Sequence, residues 1–538
     1  MAQTKWYQLD NAAKIVPSTA GGSDSRVFRI TCELKEEVDP EILQRAVTTA
    51  AREFPHFSSI LKEGMFWYYL DQSNLEAEVT PDNRPALDTI YREGRRNLLY
   101  RVNYYGRRIN LEMFHVLTDG TGAFEFLKAI LTEYCRIRYE LPQLQMTVSR
   151  AAGSDRQDDA FGKYYKKEKE KPEGQKNAPV RAYHLRGDRD ENLQNHLLEG
   201  TVSVAAFLAA ARERNATVAE LSTALFIQAT LREMSVRDKK LPIVLSVPVN
   251  LRNYFPSETA RNFFGVINVV YDPALYEGTL ESIIPVVRES FRKQLRQDQV
   301  ELTMNSYAAL EHNIAVKVVP LLIKNLVVSA INARMQRGIT GTISNVGKIT
   351  VPEEMAPYIE KFSCFMAAPE VQVCLCSYKD KLVFGVASAF IQQPIIRDFF
   401  RDMVDMGIEV VLESNDFDRA VPAFGEGPGA QSSGGAEVRS DAAAKLGAEE
   451  RSDAAAKPDA EARSDAAARP GAEVRSDAAA KLGTEVRSDA AAKPGAEERS
   501  DAAAKPDAEL RPDAVVEPHA GAEPAGSAEG DSAGKEAP

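Results

Sequence analysis

Residues Val27 to Glu33 alternate apolar and polar, the period-two pattern of a strand, and Pro40 to Phe54 changes to helical spacing with Ile42, Leu43, Ala46, Val47 and Ala50 along one stripe. "MFWYYL" returns to strand. "LLYRVNYY", "GRR" and "INLEMFHV" then predict a hairpin, and Phe124, Leu127, Ile130, Leu131 and Tyr134 mark an amphipathic helix after it. Further on, the spacing predicts helices at about Ser203 to Asn215 and Val218 to Ser235, then strands in "LPIVLSVPVNL" and "GVINVVY". Helices follow over about Leu280 to Arg296 and Asn305 to Gln336, with strands near "GTISNV", "EVQVCLCSY" and "KLVFGVAS" and a last helix from Ile395 to Leu412. The most apolar stretch, "IAVKVVPLLIKNLVVSAI", is interrupted by Lys317, Pro320 and Lys324, which predicts a core helix rather than a stable membrane span.

Both halves mix sheet and helix in similar proportion, so the pattern predicts an α/β (α+β) protein of two lobes with a groove between them. The expected division is a first lobe at 1–150, a polar linker or excursion loop at 151–189 and a second lobe at 190–416. From Arg439 the unit "RSDAAAK" restarts every twelve residues, at Arg451, Arg463, Arg475, Arg487 and Arg499, with a degenerate copy at Arg511. Alanine is nearly its only apolar residue and Pro or Gly follows most copies, so 417–538 reads as a disordered tail without a core.

The chain of 538 residues is 44% hydrophobic with a formal net charge of -12, which argues against a nucleic-acid binder. The one basic run, "KYYKKEKEK", is diluted by glutamates. Cys32, Cys135, Cys364, Cys374 and Cys376 form no CxxC pair, and the N-terminus lacks an apolar signal core, so buried reduced thiols in a cytoplasmic protein are expected. The six histidines fall in no metal-ligand spacing, and no metal is expected. "GTISNVGKI" fails as a phosphate loop, because five residues separate its glycines and Ile349 follows Lys348 where Ser or Thr is needed. No GxSxG elbow is present.

The chemistry concentrates at "FHVLTDGTGAFEFL", Phe114 to Leu127. Strand phase puts His115 on the side of Ile109, Leu111 and Met113, and a turn and a helix follow at once. Thr118 or Asp119 can cap that helix, and Gly120 or Gly122 can permit a tight turn. Two readings stand on these residues alone: a buried histidine beside an ordinary helix cap, or a base held at the end of a strand.

"HVLTDG", after a strand and before a helix, resembles the HxxxDG motif of the chloramphenicol-acetyltransferase-like superfamily, which includes condensation domains and alcohol acetyltransferases. "SVPVNLRNYFPSETARNFFGVINVV", Ser246 to Val270, is similar to the arginine-bearing segment of its C-terminal lobe. "WYQLDNAAKI" and "ATVAELSTALFIQAT" look like bacterial proteins of the alcohol acetyltransferase kind, and the likeness spans roughly residues 1 to 412.

The resemblance implies two similar lobes with a channel between them. It implies acyl transfer from a pantetheine thioester to a small-molecule alcohol or amine, with His115 as general base. Asp119 and Arg252 occupy the positions of the family's architectural ion pair, and Gly120 that of its turn. Ser344 and Asn345, in "TGTISNVGKI", are candidates for lining the pocket. No permanently bound cofactor is implied; acyl-CoA or an acyl-phosphopantetheine is the co-substrate. Phe114 stands where condensation domains carry a first histidine, which leans toward free acyl-CoA. Two alternatives stay open: a condensation-type enzyme that takes its acyl group from an acyl carrier protein, and a non-catalytic scaffold of the same fold that acts through the repeat tail.

Overall fold

The computed structural model describes residues 5–144, 159–166, 181–312 and 319–415. The repeat tail and much of the 151–189 interval lie outside the described residues. In the first lobe the order is β1 (Trp6–Gln8), α1 (Val16–Thr19), β2 (Val27–Leu34), α2 (Pro40–Glu53), β3 (Ser59–Glu63), β4 (Tyr68–Gln72), β5 (Val79–Pro81), β6 (Tyr100–Tyr105), β7 (Arg108–Phe114) and α3 (Gly120–Arg138). Then come α4 (Ala160–Tyr164), β8 (His196–Ser203), α5 (Val204–Glu213), α6 (Val218–Glu233), β9 (Ile243–Asn250), β10 (Phe264–Tyr271), α7 (Leu280–Gln294), α8 (Gln297–His312) and α9 (Leu321–Gln336). The chain continues through β11 (Gly341–Lys348), β12 (Ile359–Met366), β13 (Val371–Tyr378), β14 (Lys381–Ser388), α10 (Pro394–Asp405) and β15 (Val411–Ser414).

The first lobe is built on a five-stranded sheet, β12-β2-β7-β6-β5, and the second on a seven-stranded one, β10-β9-β11-β13-β14-β8-β15. One strand changes sides: β12 follows β11 of the larger sheet, yet it pairs antiparallel with β2, Phe362 opposite Cys32. Backbone hydrogen bonds therefore stitch a late segment of the chain onto the first lobe. A small separate sheet, β1-β4-β3, packs Tyr7, Leu61, Tyr68 and Leu70 into the core of the first lobe.

Local chemistry explains the elements that matter for the site. Asp39 caps α2 by accepting from the Glu41 and Ile42 amides, Pro40 supplies the pre-set φ of a first helical turn, and Leu43, Ala46, Val47 and Ala50 are buried. On α6, Thr217 and Glu220 form a reciprocal capping box, and the helix is buried over most of its circumference. In β2 and β7 both faces are buried, not one. The polar face carries its own ion network: Arg29 Nε donates to Glu112 at 2.9 Å, Arg29 grips Asp82 at 2.7 Å, and Arg101 reaches the other Glu112 oxygen. Burial pushes the Glu112 carboxyl upward, but Arg29 and Arg101 outweigh it and hold the group below its ordinary value.

A second buried cluster ties the two sheets together. Lys361 of β12 meets Glu199 of β8 and Glu413 of β15, and Arg108 of β7 pairs with Glu33 at 3.1 Å and Glu413 at 2.9 Å. The sheets also touch at the backbone. A Cβ on Gly385 of β14 would lie 2.0 Å from the Cys364 carbonyl oxygen of β12, so only hydrogen fits there.

Several elements differ from their sequence expectations. The final helix stops at Asp405, because Gly407 adopts φ +79° and turns the chain into β15, which pairs with β8. The single helix expected from Asn305 to Gln336 is instead α8 and α9, with Pro320 at the start of α9, where its missing N–H costs nothing. The described part of the apolar stretch expected in the core, α9, lies at the surface with Leu322, Leu326 and Met335 exposed. Parts of the polar 151–189 interval are packed: Phe161 of α4 is fully buried against Phe263. Among the described residues no helix is long and apolar enough to cross a membrane. The five cysteines are all buried and unpaired with one another.

Because the inter-sheet contact at Gly385 leaves no room for a methyl group, Gly385→Ala is expected to cost about 1–3 kcal/mol of stability through overpacking. Thermal unfolding would read this as a midpoint several degrees lower.

Candidate active site

Strand β7 ends at Phe114, and the next residues turn away before α3 begins. The turn is fixed at both ends. The His115 amide donates to the Arg26 carbonyl oxygen at 3.0 Å, and Asp119, in extended conformation, caps α3 by accepting from the Gly122 amide at 3.1 Å. His115 is thereby delivered between two aromatic rings, Phe28 of β2 at 5.2 Å and Phe264 of β10 at 5.4 Å between centroids. One ring belongs to each sheet, so the imidazole sits where the lobes meet.

The Asp119 carboxylate has a partner for each oxygen. Oδ1 closes the helix turn, while Oδ2 accepts from Arg252 Nη1 at 2.7 Å and from the Phe263 amide at 2.8 Å. Asp119 is buried and Arg252 nearly so, with side-chain relative exposure of 8% and 11%. Arg252 spends its remaining donors on one loop: Nε and Nη2 reach the Thr259 carbonyl oxygen at 3.2 and 2.9 Å, and Nη2 the Arg261 carbonyl oxygen at 2.6 Å. The guanidinium suits this task, because its rigid fork of five donors can serve several acceptors at once. The 259–263 loop is thus gathered around a cation that the first lobe's aspartate neutralises. Thr118 adds a third tie, its hydroxyl donating to the Ala260 carbonyl oxygen at 2.5 Å.

At the centre of that loop stands Asn262. Its Nδ2 donates to Asp10 Oδ2 and to the His115 carbonyl oxygen, both at 3.1 Å, and these two acceptors fix which end of the amide is oxygen. Its Oδ1 therefore faces His115 Nδ1 at 2.9 Å as an acceptor. An acceptor there requires a hydrogen on Nδ1, which places the lone pair of the neutral ring on Nε2. Among the described residues no side chain or backbone group hydrogen-bonds Nε2. Burial lowers the imidazole pKa, with Arg26 adding to the fall, while Asp119 and the Asn262 hydrogen bond oppose it; the net shift is downward. Burial thus favours the neutral ring, whose lone pair the Asn262 contact places on Nε2.

Asp10 anchors the arrangement from below. It is buried, accepts from the Ala13 amide at 2.8 Å, and lies 3.6 Å from Arg261. Burial drives its pKa up, against the pull of Arg261.

Of the residues singled out from sequence, His115, Asp119 and Arg252 converge here. The close approach in the turn falls at Gly122 rather than Gly120. A Cβ on Gly122 would lie 2.2 Å from the Ala260 carbonyl oxygen, whereas one on Gly120 meets nothing within 4 Å. Ser344 and Asn345 lie on β11, and among the described residues no hydrogen bond links them to the histidine cluster. Asn345 is exposed and accepts from the Gly347 amide at 2.9 Å, within a bulge where Gly347 has φ +90°. Sequence reasoning missed Asn262 and Asp10. Both lie in quoted segments, "SETARNFFG" and "WYQLDNAAK", but nothing in local periodicity marks either as a contact of His115. Among the described residues no three His, Cys, Asp or Glu side chains are grouped to hold a metal ion.

Removing the guanidinium strands a buried carboxylate and several loop carbonyls, so Arg252→Ala is expected to destabilise the protein by about 3–5 kcal/mol. Arg252→Lys, which keeps the charge but not the fork, should fall between it and the native chain in denaturant unfolding.

No family model and no curated protein matches the sequence. Solved structures do. TRI101 of F. sporotrichioides, crystallised with coenzyme A and T-2, superposes with a TM-score of 0.51 at 10% identity, over 76% of this chain and 99% of that one. TRI101 of F. graminearum, complexed with coenzyme A and deoxynivalenol, gives 0.51 at 10% identity over 73% and 96%. The TRI3 trichothecene 15-O-acetyltransferase from Fusarium sporotrichioides gives 0.49 at 11% identity over 75% and 94%. In fold, then, the chain resembles the two TRI101 structures.

Proposed function

We propose that the protein is an acyltransferase that moves an acyl group from a pantetheine thioester, acyl-CoA, to the hydroxyl or amine of a small molecule, with His115 as general base. The observation that carries this reading is the pairing of His115 Nδ1 with Asn262, which leaves Nε2 as the proton acceptor at the meeting of the lobes. The coenzyme A complexes of TRI101 support the donor, and Phe114 in place of a preceding histidine agrees with it.

The steps follow from the residues. His115 Nε2 takes the proton of the acceptor hydroxyl as its oxygen forms a bond to the thioester carbonyl carbon. The imidazolium is held by Asn262 Oδ1 on its other nitrogen, so the ring keeps its orientation while charged. The tetrahedral oxyanion collapses, the carbon–sulfur bond breaks, and the departing sulfur takes the proton back from Nε2. The products are an ester, or an amide when an amine attacks, and a free thiol. Asp119 takes no part in proton transfer, since both its oxygens are committed to Gly122, Phe263 and Arg252.

His115→Ala is expected to lower kcat/KM by about 10²- to 10⁴-fold in a thiol-release assay of acyl-CoA donors against alcohols and amines; full retained activity would overturn the assignment. The base must be neutral to act, and burial depresses its pKa. The acid limb of kcat/KM should therefore lie below the ordinary histidine value of about 6.5. In Asn262→Ala the imidazolium loses its acceptor, so the limb should move further toward acid while kcat falls. A limb left unmoved in that variant would remove Asn262 from the mechanism.

A further inference from the structure

Helix α9 is apolar over most of its length, yet it turns its few polar contacts inward and leaves large apolar side chains exposed. Its polar side faces the protein: Lys324 Nζ donates to the Phe66 carbonyl oxygen at 2.8 Å and lies 3.5 Å over the Trp67 ring, and Asn325 Nδ2 donates to the Tyr68 hydroxyl at 2.8 Å. One and two turns on, Ser329 donates to the Ser18 carbonyl oxygen at 2.5 Å and Asn332 accepts from Arg26 at 3.4 Å. The outer side is apolar, with relative exposure of 82% for Leu322, 73% for Leu326, 53% for Ile331 and 62% for Met335. Met65 and Phe66, whose carbonyls receive the Leu321 amide and Lys324, extend the exposed apolar surface past the helix start.

Four inward polar groups with partners fix the rotation of this helix, so the outward apolar stripe is a consequence of satisfied hydrogen bonds. A monomer in water gains nothing from such a face. Charge identifies what it meets. Between Glu311 and Glu353 the chain carries no acidic residue, although the whole chain has a net charge of -12. Lys324 is turned inward, so the exposed cations at the helix are Arg334 and Arg337, at its end. An apolar helix face with cations at its border is the chemistry of insertion at an anionic lipid interface.

We propose that α9 docks the protein on anionic phospholipid surfaces, with Leu322, Leu326, Ile331 and Met335 entering the acyl boundary and Arg334 and Arg337 meeting headgroup phosphates. The helix lies along the interface and does not span it. Its inner face contacts Arg26, whose carbonyl receives the His115 amide, so docking would bring the candidate active site close to the lipid.

Flotation of the full chain with vesicles tests this. The native protein is expected to float with vesicles of mixed phosphatidylglycerol and phosphatidylcholine, to float less with phosphatidylcholine alone, and to be weakened by about 0.5 M salt. Leu322→Gln/Leu326→Gln/Ile331→Gln, at exposed positions, should lower the bound fraction at least about tenfold without changing the melting temperature. Arg334→Glu/Arg337→Glu should abolish the preference for anionic vesicles, and it decides the matter should the triple variant fail to fold. Equal flotation of native and variant chains overturns the proposal. So does a native protein that ignores vesicles but forms a dimer which the triple variant loses, since a second copy would then be what covers the face.

Discussion

The contact between Asp119 and Arg252 is the constraint on which the site is built. A carboxylate at the head of α3 and a guanidinium after β9 neutralise one another across the two lobes, and each then organises backbone on its own side. The loop at 259–263 turns its carbonyl oxygens toward the guanidinium, an arrangement that needs a cation at its centre. Asn262 rides on that loop, so the tautomer of His115 is set by an ion pair that touches neither nitrogen of the ring. This is positional control through electrostatics: burial makes the pair expensive to break, and the cost of breaking it keeps the imidazole in place.

What could be read from the chain, and what could not, divides along the same physical line. Strand and helix periodicity located β7, α3, β9 and β10, and the resemblance of "HVLTDG" and of the arginine-bearing segment to known motifs marked His115, Asp119 and Arg252. Asn262 and Asp10 carry no such mark. Their meaning comes from atoms more than a hundred residues away in sequence. Periodicity also reports which side of an element is apolar without reporting what lies over it. The stripe of α9 therefore read as core, while four polar contacts on the opposite side had already decided its orientation. β12 and β15 were hard to place for a related reason, since strand pairing between distant segments has no local signature.

The buried charge in this protein is spent at junctions. Glu112 binds three strands of the first sheet through Arg29 and Arg101, and Lys361 with Arg108 gathers Glu33, Glu199 and Glu413 where the two sheets adjoin. Burial pulls the Lys361 ammonium down, but its carboxylate neighbours more than restore it. Hydrophobic packing alone is tolerant of sliding, whereas paired charges hold a register: the first cluster does so among strands of one sheet, the second where one sheet must keep its alignment to another.

Gly122 gives the motif a different length. Within "HVLTDG", His115, Thr118 and Asp119 hydrogen-bond to the other lobe, but the position that no side chain can occupy lies two residues later, under the Ala260 carbonyl of that lobe. The effective signature of this turn in the present chain is accordingly "HVLTDGTG". Its final letter records a fit between two surfaces and not a bend in one. A pattern that stops at Gly120 describes the polar ties that join the lobes around the histidine; one that reaches Gly122 also describes how closely their backbones approach.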